Sequence, residues 1–142
     1  MHDDPSAHAE DLEEPPKISE DIAAYYEKGN EEGRLNATPE GRLEFIRTKE
    51  LLKRFLPKPP AVIADVGGGP GAYACWLASQ GHEVHLVDPV PLHIQQARTA
   101  SAKQSAFPIA SCTLGDAREM MQFQDGSMDM VLLLGPLTRR AR

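Results

Sequence analysis

Asp65, Asp88 and Asp116 each end, or closely follow, a short apolar run, and an acid in such a place needs a partner. Between the first two lies Val66-Gly-Gly-Gly-Pro-Gly71, a stretch of nearly bare main chain. Without a Cβ, Gly67, Gly69 and Gly71 let the backbone take left-handed dihedrals, and a ligand can lie against the chain at van der Waals distance. Ala72 to Ser79 carry a helical pattern, and a helix starting there turns free N–H groups and its positive dipole end toward the same ligand. Two ligand classes fit this loop: a dinucleotide with its pyrophosphate, or a nucleoside carrying an amino-acid tail.

The acids discriminate between them. Asp88 lies ~20 residues beyond the glycine loop, where an acid accepts from a ribose diol in open parallel sheets. Asp116 stands one strand further out, where a carboxylate can accept from the exocyclic amine of adenine while the Ala117 N–H faces a ring nitrogen. Asp65 adjoins the loop; it would repel a pyrophosphate and attract an ammonium or a positively charged sulfur. Gly67-x-Gly69-x-x-Ala72 does satisfy the dinucleotide pattern, so an NAD(P)-dependent oxidoreductase stands as the alternative. Asp65, the stiffening Pro70 and the extra open position at Gly71 favour a zwitterionic tail with a sulfonium, the ligand S-adenosylmethionine.

Elements of suitable type flank these residues. Val62 to Val66 is a short apolar run bounded by glycines, the mark of a buried parallel strand. Glu83 to Asp88, Ile109 to Leu114 and Met128 to Leu134 read as three further strands, with helices over Ala72 to Ser79 and Leu92 to Lys103 between them. The alternation predicts an α/β fold: a Rossmann-like parallel sheet of about four strands with flanking helices. Upstream, Thr38-Pro39 opens a helix whose Leu43, Ile46, Leu52 and Phe55 gather on one face, and Pro57 ends it. Ser19 caps an earlier short helix through Tyr25, Tyr26 and Lys28. Three regions result: a disordered acidic tail over 1–17, an N-terminal helical cap over 18–57 and the sheet domain over 58–142.

The bulk composition narrows the function. A net charge of -6 offers no electrostatic footprint for nucleic acid, so a small-molecule partner is expected. Two cysteines, Cys75 and Cys112, cannot form a disulfide framework and read as reduced core residues of a cytoplasmic protein. No apolar run approaches the ~20 residues of a membrane helix. His82, His85 and His93 lie on different faces and elements and predict no metal site.

Asp65-Val-Gly-Gly-Gly-Pro-Gly71, Asp88, Gly115-Asp116-Ala117 and Asp129-Met-Val-Leu-Leu-Leu-Gly-Pro-Leu137 resemble, in order and spacing, the consecutive motifs of class I S-adenosylmethionine-dependent methyltransferases. The resemblance extends upstream, because Asp21-Ile-Ala-Ala-Tyr-Tyr26 and Gly33-Arg34-Leu35 are similar to the N-terminal helix that folds over the cofactor in such enzymes. It implies that Gly67, Gly69 and Gly71 pack against the methionine portion, with Asp65 near its amino group. Asp88 would hold the ribose hydroxyls, Asp116 and Ala117 the adenine, and Leu134 and Gly135 would line the wall near the sulfur. The implied activity is methyl transfer to a small-molecule acceptor. The family continues for three more strands, whereas this sequence ends at Arg142, so the expectation is a truncated domain. Its fourth strand would then be an exposed edge open to self-association, and a catalytically inactive cofactor-binding or interaction fragment is a further alternative.

Overall fold

The computed structural model describes residues 38–118 and 122–134. The acidic tail, the helix expected from Ser19, the Tyr25–Tyr26 pair, Gly135 and the basic chain end lie outside these residues.

Helix α1 (Pro39–Lys53) begins as its sequence predicts. Thr38 Oγ1 accepts from the Gly41 N–H at 3.0 Å, and Pro39 occupies the first turn, where its missing N–H costs nothing. Its inner face is a correction, however: Leu43, Ile46 and Phe55 are exposed. The stripe that turns inward is Phe45, Lys49, Leu52 and Leu56, of which Leu52 joins the core and Phe45 and Leu56 pack against it. Phe45 meets the Tyr73 ring edge-on at 5.0 Å, and Lys49 lays its ammonium 4.2 Å above the Phe45 ring. Aromatic contact with the next helix, rather than the count of leucines, decides which face is covered.

Four strands form one parallel sheet: β1 (Val62–Val66), β2 (Glu83–Asp88), β3 (Ser111–Leu114) and β4 (Met130–Leu132), in the order β3-β2-β1-β4. The chain steps outward from β1 to β3 and then returns to the other side of β1. Strand order thus reverses between β1 and β4, the place where open sheets of this kind bind ligands. Helices α2 (Ala72–Ser79) and α3 (Pro91–Ala102) connect the first three strands and pack against β2 and each other. The core between them and the sheet holds Ile63, Val84 and Leu86 with Ala74, Leu77, Ala78, Ile94 and Ala97.

Two strands are shorter than predicted. β3 starts at Ser111 rather than Ile109, because Ile109 N–H is bonded outside the ladder, to Ser101 Oγ at 2.8 Å. β4 covers only Met130 to Leu132, and Val131, Leu133 and Leu134 are about half exposed. Asp129 fixes its entry: Val62 N–H donates to Asp129 Oδ2 and Asp129 N–H to Val62 O, both at 2.8 Å. Among the described residues, no helix is long and apolar enough to cross a membrane.

Candidate cofactor site

Side chains alternate along a strand, so Ile63 and Asp65 share one face of β1, and their register partners Val84 and Leu86, with Asp88 beyond, share the same face of β2. That is the face covered by α2 and α3. Asp65 therefore occupies a position where the pattern calls for an aliphatic residue. It is 2% exposed, and its Oδ2 has no hydrogen-bond partner among the described residues. Burial first, and the nearby Asp88 second, push its carboxyl up to about 7.

The glycine loop folds directly over this acid. A Cβ at Gly68 would lie 2.7 Å from Asp65 Oδ2 and 2.9 Å from Leu86 Cδ1, so only glycine fits. Gly67 and Gly69 have φ of 70° and 58°, the left-handed region. The loop amides are spoken for within the chain: Gly67 N–H donates to Val87 O at 2.7 Å, Gly69 N–H to Asp88 Oδ2 at 2.9 Å and Gly71 N–H to Gly68 O at 3.2 Å. Gly71 serves packing too, since a Cβ there would lie 3.0 Å from Ala97 Cβ on α3.

Asp88 closes β2 and is the junction of the site. Its Oδ1 accepts from Val90 N–H and from His93 Nδ1, and its Oδ2 from Gly69 N–H, all at 2.9 Å. Both Asp88 and His93 are buried. Leu114, at the end of β3, pairs with Asp88, and Gly115 N–H donates to Asp88 O at 3.0 Å, which brings the Gly115-Asp116-Ala117 turn to the same sheet edge. Asp116 is already engaged there. Arg118 grips it through Nε and a 2.7 Å Nη2–Oδ2 bond, and Arg118 N–H donates to Oδ1. The Arg118 side-chain hydrogen bonds hold the Asp116 carboxyl below its ordinary range. Ala117 is partly buried beside it. Leu134, two residues past β4, is 46% exposed.

The parallel register thus brings the ends of β1, β2 and β3, with Asp65, Asp88 and the Asp116 turn, to one edge of the sheet. Chemically, that edge offers a buried acid suited to a cation and a second acid already organised by three donors. Gly68, His93 and Arg118 were not among the predicted site residues. For His93 a signal existed: it lies five residues after Asp88 in the first turn of a helix, where side chains face back toward the strand end. His82 and His85 serve structure: Ala61 N–H donates to His82 Nδ1 at 3.2 Å, and His85 bonds Ser111 and Glu83. Among the described residues no His, Cys, Asp and Glu group is arranged to hold a metal.

A family model described as a methyltransferase domain matches residues 64–138, more than half of the chain. The chain belongs to the methyltransferase domain family. The match takes in the glycine loop, all three aspartates and the β4 segment, so the family's domain includes the whole sheet edge described above. Among solved structures, the methyltransferase domain shares its fold with the magnesium protoporphyrin IX methyltransferase of Synechocystis, determined with bound S-adenosylhomocysteine. That likeness has a TM-score of 0.56 and 15% identity, over 78% of this chain and 55% of the other. A protein described as a methyltransferase from an antibiotic biosynthesis pathway of Anabaena variabilis is 32% identical, over 61% of this chain and 32% of its own, with a TM-score of 0.49. A TehB-like methyltransferase from Corynebacterium glutamicum is 33% identical over 36% of this chain and 27% of its own, with a TM-score of 0.34. The chain spans about a third of the length of the Anabaena protein and about half that of the Synechocystis one. No curated protein matches it.

Proposed function

We propose that the chain is the cofactor-binding portion of an S-adenosylmethionine-dependent methyltransferase acting on a small-molecule acceptor. The observation that carries this reading is Asp65. A carboxyl buried beneath the glycine loop, with one oxygen that has no partner among the described residues, is costly by itself and is matched by a ligand bearing an ammonium group. A pyrophosphate would face repulsion from the same acid and would find the Gly67, Gly69 and Gly71 amides already bonded. The residues fit the amino-acid tail and the nucleoside of S-adenosylmethionine in turn.

In this reading Asp65 gives up its proton to solvent and faces the ammonium, the opposite charge offsetting the desolvation that raised its pKa. Asp88 offers Oδ2 to the ribose. The Asp116 carboxylate, kept ionised by Arg118, remains an acceptor for an amine, and the Ala117 N–H stands beside it as a donor. The cofactor supplies a methyl group already activated on a sulfonium, so the protein's share of catalysis is chiefly to orient donor and acceptor. Isothermal titration of the full chain with S-adenosylhomocysteine and with NADH tests the proposal. Binding of S-adenosylhomocysteine without NADH is the expected result, and binding of NADH alone refutes it.

A further inference from the structure

Asp88 is bonded asymmetrically. A carboxylate offers about four lone-pair sites, two on each oxygen. Among the described residues, Val90 N–H and His93 Nδ1 occupy both sites of Oδ1, whereas Oδ2 has one donor, Gly69 N–H, and one site left. Since a carboxylate only accepts, Nδ1 of His93 carries the hydrogen. His93 is 2% exposed, on the first turn of α3, so its ring is held by packing as well as by this bond. A free Asp at a strand end can rotate to offer both oxygens to a vicinal diol. Here the imidazole prevents that rotation by fixing Oδ1 against the α3 side, and Oδ2 is the oxygen that meets the glycine loop, through Gly69 N–H.

We propose that His93 is a positioning residue for this site: by holding Oδ1 of Asp88 it presents Oδ2 alone, so that the acid accepts from one ribose hydroxyl of the nucleoside cofactor rather than from two. The inference rests on the reading of Asp88 as the ribose acceptor given above. It makes the affinity depend on which hydroxyl is present, and couples that dependence to a histidine that touches no ligand.

The test is calorimetric titration of the full chain with S-adenosylhomocysteine and its 2′-deoxy and 3′-deoxy forms. Wild-type protein binds one deoxy form about tenfold more weakly than the parent and the other within about threefold, the loss of one hydrogen bond to a charged group. His93→Leu binds the parent about tenfold more weakly, and this loss vanishes for the deoxy form that already lacks the relevant hydroxyl. His93→Asn, whose side-chain amide can donate from near the Nδ1 position, stays within about threefold of wild type for every ligand. Equal weakening of both deoxy forms in the wild type overturns the proposal, as does a loss in His93→Leu that is the same for all three ligands. Should His93→Leu fail to fold, the wild-type discrimination between the two deoxy forms decides the matter. Failure of the underlying reading is distinct, because Asp88→Asn would then leave the affinity for the parent ligand unchanged.

Discussion

Replacing Asp65 by asparagine should make the protein more stable at pH 8 and less able to bind its ligand. The side chain is buried, with one oxygen unpartnered among the described residues, and its carboxyl is pushed up from 3.8 to about 7. The folded state therefore holds this proton more tightly than the unfolded chain does. Its contribution to stability is fully present below the unfolded value of 3.8 and is lost as pH rises through about 7. A shift of about three units at ~1.36 kcal/mol each places the loss on the order of 4 kcal/mol. Asparagine has nearly the same shape and cannot ionise. Urea unfolding of both proteins between pH 4.5 and 8.5 should give curves that nearly meet at the acid end and separate by roughly that amount at the alkaline end. The same change should weaken S-adenosylhomocysteine about 10- to 100-fold, through loss of the charged partner of its ammonium, and leave 5′-methylthioadenosine, which lacks that ammonium, unaffected. Parallel pH profiles for the two proteins would refute the argument that desolvation of Asp65 sets its proton affinity.

Gly68→Ala places a methyl group 2.7 Å from Asp65 Oδ2 and 2.9 Å from Leu86 Cδ1, and should cost about 1–3 kcal/mol in urea unfolding. Ser101→Ala leaves the buried Ile109 N–H without its acceptor; a similar loss of about 1–3 kcal/mol is expected in the same assay. Arg118→Gln removes the guanidinium that holds the Asp116 carboxyl low, so the Asp116 midpoint in a carbon-13 NMR titration should rise toward the ordinary aspartate value. An unmoved midpoint would show that Arg118 does not grip Asp116 in solution.

Much of the fold was legible because its signals are local. The apolar run of β1, the glycines behind it and the Thr38-Pro39 cap are properties of a few adjacent residues, and β2 and α2 fall at Glu83–Asp88 and Ala72–Ser79 as read. Errors arose where a distant partner decides. Leu43, Ile46 and Phe55 have the spacing of an inner face, yet Phe45 points inward because Tyr73 lies opposite it. Met128 to Leu134 is apolar but for Asp129, yet only Met130 to Leu132 pairs with β1. Asp116 is a different case: it reads as an open acceptor, but a near neighbour, Arg118, occupies it through a side-chain conformation that residue types and spacing do not specify.

By itself the sequence determined the kinds of residue at the carboxyl ends of the strands: acids at 65, 88 and 116, and a glycine loop between the first two. Each is written in neighbouring residues, because strand, turn and helix signals are short-range. Only the tertiary structure decided what those residues face. Parallel register sets Asp65 beneath Gly68 and beside Asp88, and the packing of α3 brings His93 and Ala97 against a loop more than twenty residues earlier. The perturbed acid and the one-sided clamp on Asp88 come from burial and from contacts between segments, quantities that no run of neighbouring residues contains.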